Sequence, residues 1–218
     1  MSEITVTLPD GSQRRVAPGA TPLAIAQSIS RRLADDAVVA RVDGELRDLT
    51  QPLGKDASLQ ILTSKDEEAL QVYRHSTAHL LAAAVLELYP GTKLGIGPAT
   101  DSGFYYDFDR EEKFTPDDLE KIEAKMWELQ KKALPYRRVM TPKADGLKKY
   151  ESMGEHLKCE LIDEKADAVF SEYTLGDHFI DFCRGPHVPD TSRIKAFKLL
   201  SIAGAYWKGD ENNPQMQR

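Results

Sequence analysis

Apolar and polar residues alternate over Ile4-Thr-Val-Thr-Leu8, and Pro9-Asp-Gly-Ser12 then turns the chain into Gln13-Arg-Arg-Val16, so the sequence opens with a predicted hairpin. The period then lengthens. Thr21-Pro22 sets an N-cap before a proline at the first helical position, and Leu23, Ile25, Ala26 and Ile29 give the helix that follows its apolar stripe. Val38–Val42 and Ser58–Leu62 return to strand patterning, with a tight turn at Asp43-Gly44.

A longer pattern begins at Ser64-Lys-Asp-Glu67, which has capping-box spacing and opens a helix running to about Tyr89. Leu70, Tyr73, Thr77, Leu80, Leu81, Ala84 and Leu88 supply its apolar face, and Pro90-Gly91 stops it. Glycine-rich Leu94–Pro98 reads as a turn and Gly103–Phe108 as an aromatic strand. A second helix starts at Thr115-Pro116 and ends near Lys131-Lys132, and a third, shorter one covers Lys143 to Met153. Lys158–Ile162, Glu172–Thr174 and Phe179–Cys183 read as strands, with turns at Gly176 and Gly185-Pro186. The whole is α+β. Residues 1–64 form a sheet wrapped on one helix, as in the ubiquitin-like β-grasp; residues 65–218 form a larger α+β domain, an antiparallel sheet with a long helix.

No apolar run reaches the ~20 residues that span a bilayer, and the opening Met-Ser-Glu-Ile-Thr-Val carries no secretory signal pattern, so a cytoplasmic protein without membrane contact is expected. Two cysteines, Cys159 and Cys183, rule out a disulfide framework and suit a reducing compartment. The net charge of -6 argues against a generic nucleic-acid coat but leaves room for RNA recognition through a local basic patch.

Residues 1–64 contain no histidine, cysteine or phosphate-binding loop and read as a binding or spacer module. The chemistry lies later, in His75-Ser-Thr-Ala-His79 and Asp181-Phe-Cys183-Arg-Gly-Pro-His187. His75 and His79 sit one turn apart on the long helix, and Asp181 and Cys183 share one face of a strand. Three imidazoles and a thiol are a ligand set zinc accepts, or the lining of a hydrolytic pocket. A metallopeptidase would need a glutamate beside the first histidine, where Ser76 stands instead. Cys183 could also act as a nucleophile with a histidine as base. Cys159 reads as a small buried hydrophobe, and His156 and His178 lack a patterned partner.

His75-Ser-Thr-Ala-His79-Leu-Leu, Ile96-Gly-Pro98, Gly103-Phe-Tyr-Tyr-Asp107, Cys183-Arg-Gly-Pro-His-Val-Pro189 and Ala203-Gly-Ala-Tyr-Trp-Lys-Gly-Asp210 occur in one order that resembles the N-terminal half of the threonyl-tRNA synthetase family. The resemblance implies a TGS domain over 1–64 and an editing domain over 65–218, without the aminoacylation core and the anticodon-binding domain. It implies an aminoacyl-tRNA deacylase that hydrolyses seryl-tRNA(Thr) and spares threonyl-tRNA(Thr), with the tRNA acceptor end and its seryl-adenosine as partner. By the same resemblance His75 and Lys158 are catalytic, and His79, Tyr106, Asp181, Cys183 and His187 bind substrate, with Asp181 a candidate for the α-amino group. A metal-free mechanism is expected, with zinc at His75, His79, Cys183 and His187 as the alternative. The other alternative is a non-catalytic module that binds the acceptor end. The fragment is expected to be monomeric and the full-length protein a homodimer. Arg137-Arg138, Lys148-Lys149, Arg193, Lys195 and Lys198 are candidate phosphate contacts.

Overall fold

A computed structural model of the chain describes residues 3–177 and 179–218 and divides into two compact units, one comprising Met1–Tyr73 with Gly185–Pro189, the other Arg74–Arg184 with Asp190–Arg218. In the first, β1 (Ile4–Thr7) and β2 (Gln13–Val16) form the expected hairpin. Helix α1 (Pro22–Ile29) starts where Thr21 accepts a hydrogen bond from the Ala24 N–H at 3.2 Å. A short α2 (Arg31–Asp36), not foreseen in the sequence, starts in the same way at Ser30, whose hydroxyl accepts from the Leu33 N–H. Strands β3 (Ala37–Val42), β4 (Glu45–Arg47) and β5 (Ala57–Thr63) complete a sheet of order β2-β1-β5-β3-β4 in which β1 and β5 run parallel. Asp43 and Gly44 both have positive φ, the geometry a two-residue hairpin needs, and the Asp43 carboxylate takes the Ser58 N–H at 2.8 Å to hold that turn. Ile4, Val6, Ile25, Ala40, Leu49 and Leu59 close the core beneath the helix. This is the β-grasp.

Helix α3 (Glu67–Leu88) begins two residues later than the capping box implies. The Asp66 carbonyl accepts the Leu70 N–H and the Asp66 side chain reaches back to the Thr63 N–H at 2.7 Å, while Ser64 and Glu67 stand exposed. Every residue from Ser76 to Val85 is buried, so over this stretch the helix is buried all round rather than amphipathic. Its small alanines at 82–84 suit that setting. Among the described residues no helix is long and apolar enough to cross a membrane.

The second unit has two antiparallel sheets. One joins β8 (Tyr136–Pro142), β9 (Val169–Leu175) and β10 (Phe179–Phe182) in the order β10-β9-β8. The other joins β6 (Lys93–Leu94), β7 (Phe108–Asp109), β11 (Gly204–Tyr206) and β12 (Gln215–Gln217) in the order β11-β12-β7-β6. Helices α4 (Pro116–Lys131), α5 (Lys143–Ser152) and α6 (His156–Lys165) accompany them.

Two expected strands are corrected. Lys158–Ile162 lies inside α6, because Leu157, Lys158, Leu161 and Ile162 are the buried set, a helical face that a five-residue window hid. The aromatic strand at Gly103–Phe108 reduces to a bridge at Phe104 and the two residues of β7. The Asp107 N–H and carbonyl bond instead to Ile96 and Gly95, so this backbone is tied locally to the glycine-rich segment rather than to a long ladder.

Asp118 anchors α4. Its Oδ2 accepts from the Thr115 N–H and hydroxyl at 2.9 Å each, and its Oδ1 accepts from the Tyr89 hydroxyl at 2.8 Å. These donors, led by the Thr115 N–H, hold the carboxyl far below the ordinary carboxylate range, while burial and Asp118 push the Tyr89 phenol up to about 12. Asp118→Ala is expected to lose about 1–2 kcal/mol at neutral pH, measured by urea unfolding. A depressed folded pKa means that stability present above the ordinary aspartate value of 3.8 is lost as pH falls through the folded pKa, so the gap between wild type and variant holds at pH 5 and closes only in stronger acid.

Candidate active site

α3 carries His75 and His79 one turn apart, with ring centroids 4.7 Å from each other. His75 Nδ1 lies 3.1 Å from the Gly97 carbonyl oxygen, which can only accept, so Nδ1 carries the proton. In the neutral ring Nε2 then holds the lone pair, and Nε2 lies 3.1 Å from Cys183 Sγ, which donates its S–H to it. Burial, the largest influence, lowers the His75 pKa against the opposing pull of the Gly97 hydrogen bond and Asp181. The neutral form of the ring is thereby favoured.

Gly97 is required where it stands. A Cβ there would come within 2.1 Å of the Tyr106 ring, so only glycine lets the carbonyl reach His75 while Tyr106 packs behind it. Backbone bonds between Gly95–Ile96 and Asp107 hold these two segments together. Cys183 follows β10, and Ser171 fixes its backbone twice: the Cys183 N–H donates to the Ser171 carbonyl and the Ser171 hydroxyl donates to the Cys183 carbonyl.

Beside the histidines lies a buried charged group. The Tyr106 hydroxyl donates to Asp181 Oδ2 at 2.6 Å, Lys158 Nζ donates to the Tyr106 oxygen at 3.1 Å, and Lys158 forms an ion pair with Asp181 Oδ1. His79 Nε2 lies 3.5 Å from Asp181 Oδ2. Lys158, Asp181 and His79 are each no more than 4% exposed in their side chains. Burial, then Asp181, pushes the Tyr106 phenol well up, so it stays a donor. Asp181 is engaged on both oxygens by the chain itself.

His187 is buried, and its N–H donates to the Asp48 carboxylate at 2.8 Å. In the other unit His75, His79 and Cys183 each offer one ligand atom, all within 4.8 Å of one another. His156 is exposed, Cys159 is half-buried with its thiol pushed up by burial, and His178 lies outside the described residues. Sequence reasoning missed Asp48 and the carbonyl role of Gly97. Neither carries a motif, and only the Gly-Ile-Gly run hinted at a close approach. Of the candidate phosphate contacts, Arg137, Arg138, Lys148 and Lys195 are exposed, whereas Lys149 pairs with buried Glu172, Lys198 with Glu123 at 2.8 Å, and Arg193 with Asp190 at 3.9 Å.

Residues 4–63 match the TGS domain family, and residues 171–218 match the family described as the threonyl and alanyl tRNA synthetase second additional domain. The second of these families is named for two aminoacyl-tRNA synthetases. The chain is 53% identical over 218 residues to the threonine–tRNA ligase of Citrifermentans bemidjiense and 52% identical over 218 to that of Pelobacter propionicus, covering 100% of this chain and 34% of each relative. The threonine–tRNA ligase of Maricaulis maris is 51% identical over 217 residues, 99% of this chain and 34% of that protein. Along its whole length the chain is similar to threonine–tRNA ligases; it spans about a third of the length of these relatives and carries the TGS domain and the editing-related second additional domain.

Proposed function

We propose that this chain proofreads: it hydrolyses the ester of mischarged seryl-tRNA(Thr) and spares threonyl-tRNA(Thr), with a TGS domain over 1–64 and the deacylase over 65–218. The need for such a site is physical. Serine differs from threonine by one methyl, worth about 1–3 kcal/mol in a binding pocket, or roughly 10–200-fold, so a second sieve must remove what the first admits. A pocket shaped to serine refuses threonine because the extra methyl overpacks it.

The observation that supports this most is the His75 geometry: a neutral imidazole with its proton pinned to Gly97 and its Nε2 lone pair beside Cys183. In the proposed reaction water attacks the seryl carbonyl carbon, and the bond from that carbon to the ribose oxygen breaks. His75 would take a proton from the water or relay it to the departing ribose oxygen. Lys158 would orient the water or stabilise the developing oxyanion, held by Asp181 and Tyr106. His79, Cys183 and His187 would shape the serine pocket. Asp181 would reach the α-ammonium only by exchanging one of its present partners. The partner is the acceptor end of tRNA(Thr), with exposed Arg137, Arg138, Lys148 and Lys195 available to phosphates.

A second reading rests on the ligand set. Bonds of about 2.0–2.3 Å to zinc would place tetrahedral ligand atoms roughly 3.3–3.8 Å apart, close enough to the grouping of His75, His79 and Cys183 for these three to hold the ion with a fourth position open. When bound there, zinc would acidify a coordinated water. The test incubates the chain with seryl- and threonyl-tRNA(Thr), with and without EDTA, and follows ester loss. EDTA-insensitive loss of the seryl ester alone is expected. Loss abolished by EDTA favours zinc, and loss of neither ester leaves an acceptor-end binding module.

A further inference from the structure

We infer that Glu155 is the positioning residue that holds His75 and Lys158 in register, an inference resting on the deacylase reading of the site. Glu155 occupies the position just before α6, and its carbonyl accepts the first helical hydrogen bond, from the Cys159 N–H at 3.0 Å. A short polar side chain at that position ordinarily caps its own helix. Glu155 does not: its carboxylate makes no cap bond. Its Oε2 instead accepts the N–H of Leu94, 61 residues away in sequence, at 3.0 Å and out of contact with water.

The two ends of that bond lead to the two proposed catalytic side chains. Leu94 begins the segment whose Gly97 carbonyl, three residues on, fixes the His75 tautomer. Glu155 begins the helix that presents Lys158 three residues on, where its ammonium meets Tyr106 and Asp181. Tyr106 in turn packs on Gly97 so closely that no Cβ fits between them. The path from His75 through Gly97 and Leu94 to Glu155, then through Lys158 and Tyr106 back to Gly97, is closed. The Glu155–Leu94 hydrogen bond is the step in it that ties α6 to the glycine segment.

Glu155 is 5% exposed, and burial pushes its carboxyl up against the opposing effects of the Leu94 N–H and Lys93. A buried acid is a costly choice for a residue that merely links two helices. Lys93 stands 4.0 Å from Glu155 Oε1, beyond hydrogen-bond range, and donates instead to the Met153 carbonyl at 2.7 Å. The ammonium therefore lines the same turn without making the tie.

Glu155→Ala removes the acceptor; Glu155→Gln keeps an oxygen for the Leu94 N–H and loses the charge. The chain with each change is assayed for kcat and KM on seryl-tRNA(Thr), and its nitrogen-15-labelled histidines are read by NMR without tRNA. Loss of the tie is expected to misplace the reacting groups, so Glu155→Ala loses roughly 100-fold in kcat with KM little changed. The His75 signals should move from the Nδ1-protonated tautomer towards a mixture. Glu155→Gln should recover most of kcat and the wild-type tautomer, and Lys93→Met should leave both unchanged. Wild-type kcat and tautomer in Glu155→Ala would overturn the inference. So would a Gln variant as impaired as the Ala variant, whose charge rather than tie would then matter. If the wild-type chain hydrolyses no seryl ester the functional reading falls, while the histidine spectra still decide whether Glu155 holds His75.

Discussion

Exchanging Lys158 for methionine is expected to remove stability and deacylation together. The ammonium is 2% exposed, pairs with Asp181 and donates to Tyr106, so the change leaves a buried carboxylate with one neutral donor. Removing one partner of a buried pair costs about 3–5 kcal/mol, chiefly because the other charge stays behind. At roughly 2–4 °C per kcal/mol for a protein of this size, the thermal midpoint should fall by about 10 °C. Deacylation should fall by roughly 10²–10³-fold if Lys158 stabilises charge in the transition state. A second change separates the two losses. Asp181→Asn added to Lys158→Met withdraws the orphaned charge and keeps an oxygen for Tyr106, so most of the midpoint should return while activity stays lost. If activity returned with stability, Lys158 would be a strut and not a participant. If the single variant kept both, the buried pair would do neither job.

The sequence made Lys158 a candidate but set it on the wrong element. Over five residues, Lys-Cys-Glu-Leu-Ile looks like a strand; over the ten of α6 the buried set at 157, 158, 161 and 162 is plainly helical. The β-grasp was legible because its signals are local: a hairpin turn, a Thr-Pro helix start and alternating strands. Helix α4 was legible for the same reason, from Thr115-Pro116 to its terminal lysines. The pairing of His75 with His79 followed from helical spacing alone. What could not be read was whatever depends on contacts far apart in sequence. Examples are the Gly97 carbonyl on His75, the Asp48 carboxylate on the His187 N–H and the Glu155 carboxylate on Leu94. Each joins an ordinary residue to a distant backbone group, and no spacing rule marks such a residue. Strand β8 was missed because Arg137 to Met140 are all exposed, so no alternation betrays it.

His75→Ala and Cys183→Ala should part company, because the geometry gives them unequal work. His75 is the group with a lone pair in the pocket, its tautomer set by Gly97, and losing a positioned general base costs about 10²–10⁴-fold in rate. Cys183 offers a thiol that donates to His75 Nε2, which shapes the pocket and orients the ring but supplies no water. Its loss should leave most of the seryl-tRNA(Thr) hydrolysis in place. The contrary outcome has its own chemical signature. If the thiol attacked the ester, the bond to the ribose oxygen would break as a thioester formed on Cys183, and water would release serine in a second step. Cys183→Ala would then be as inactive as His75→Ala, and a chain stopped with acid during turnover would carry one seryl group, visible as added mass on the peptide containing Cys183. Retained activity in Cys183→Ala, with no such mass in the wild type, leaves water as the nucleophile and His75 as the group that directs it. Inactivity of both variants without a thioester would return His75, His79 and Cys183 to zinc, since each variant then removes a ligand rather than a reactant. Metal content measured on the same three proteins decides between those last two cases.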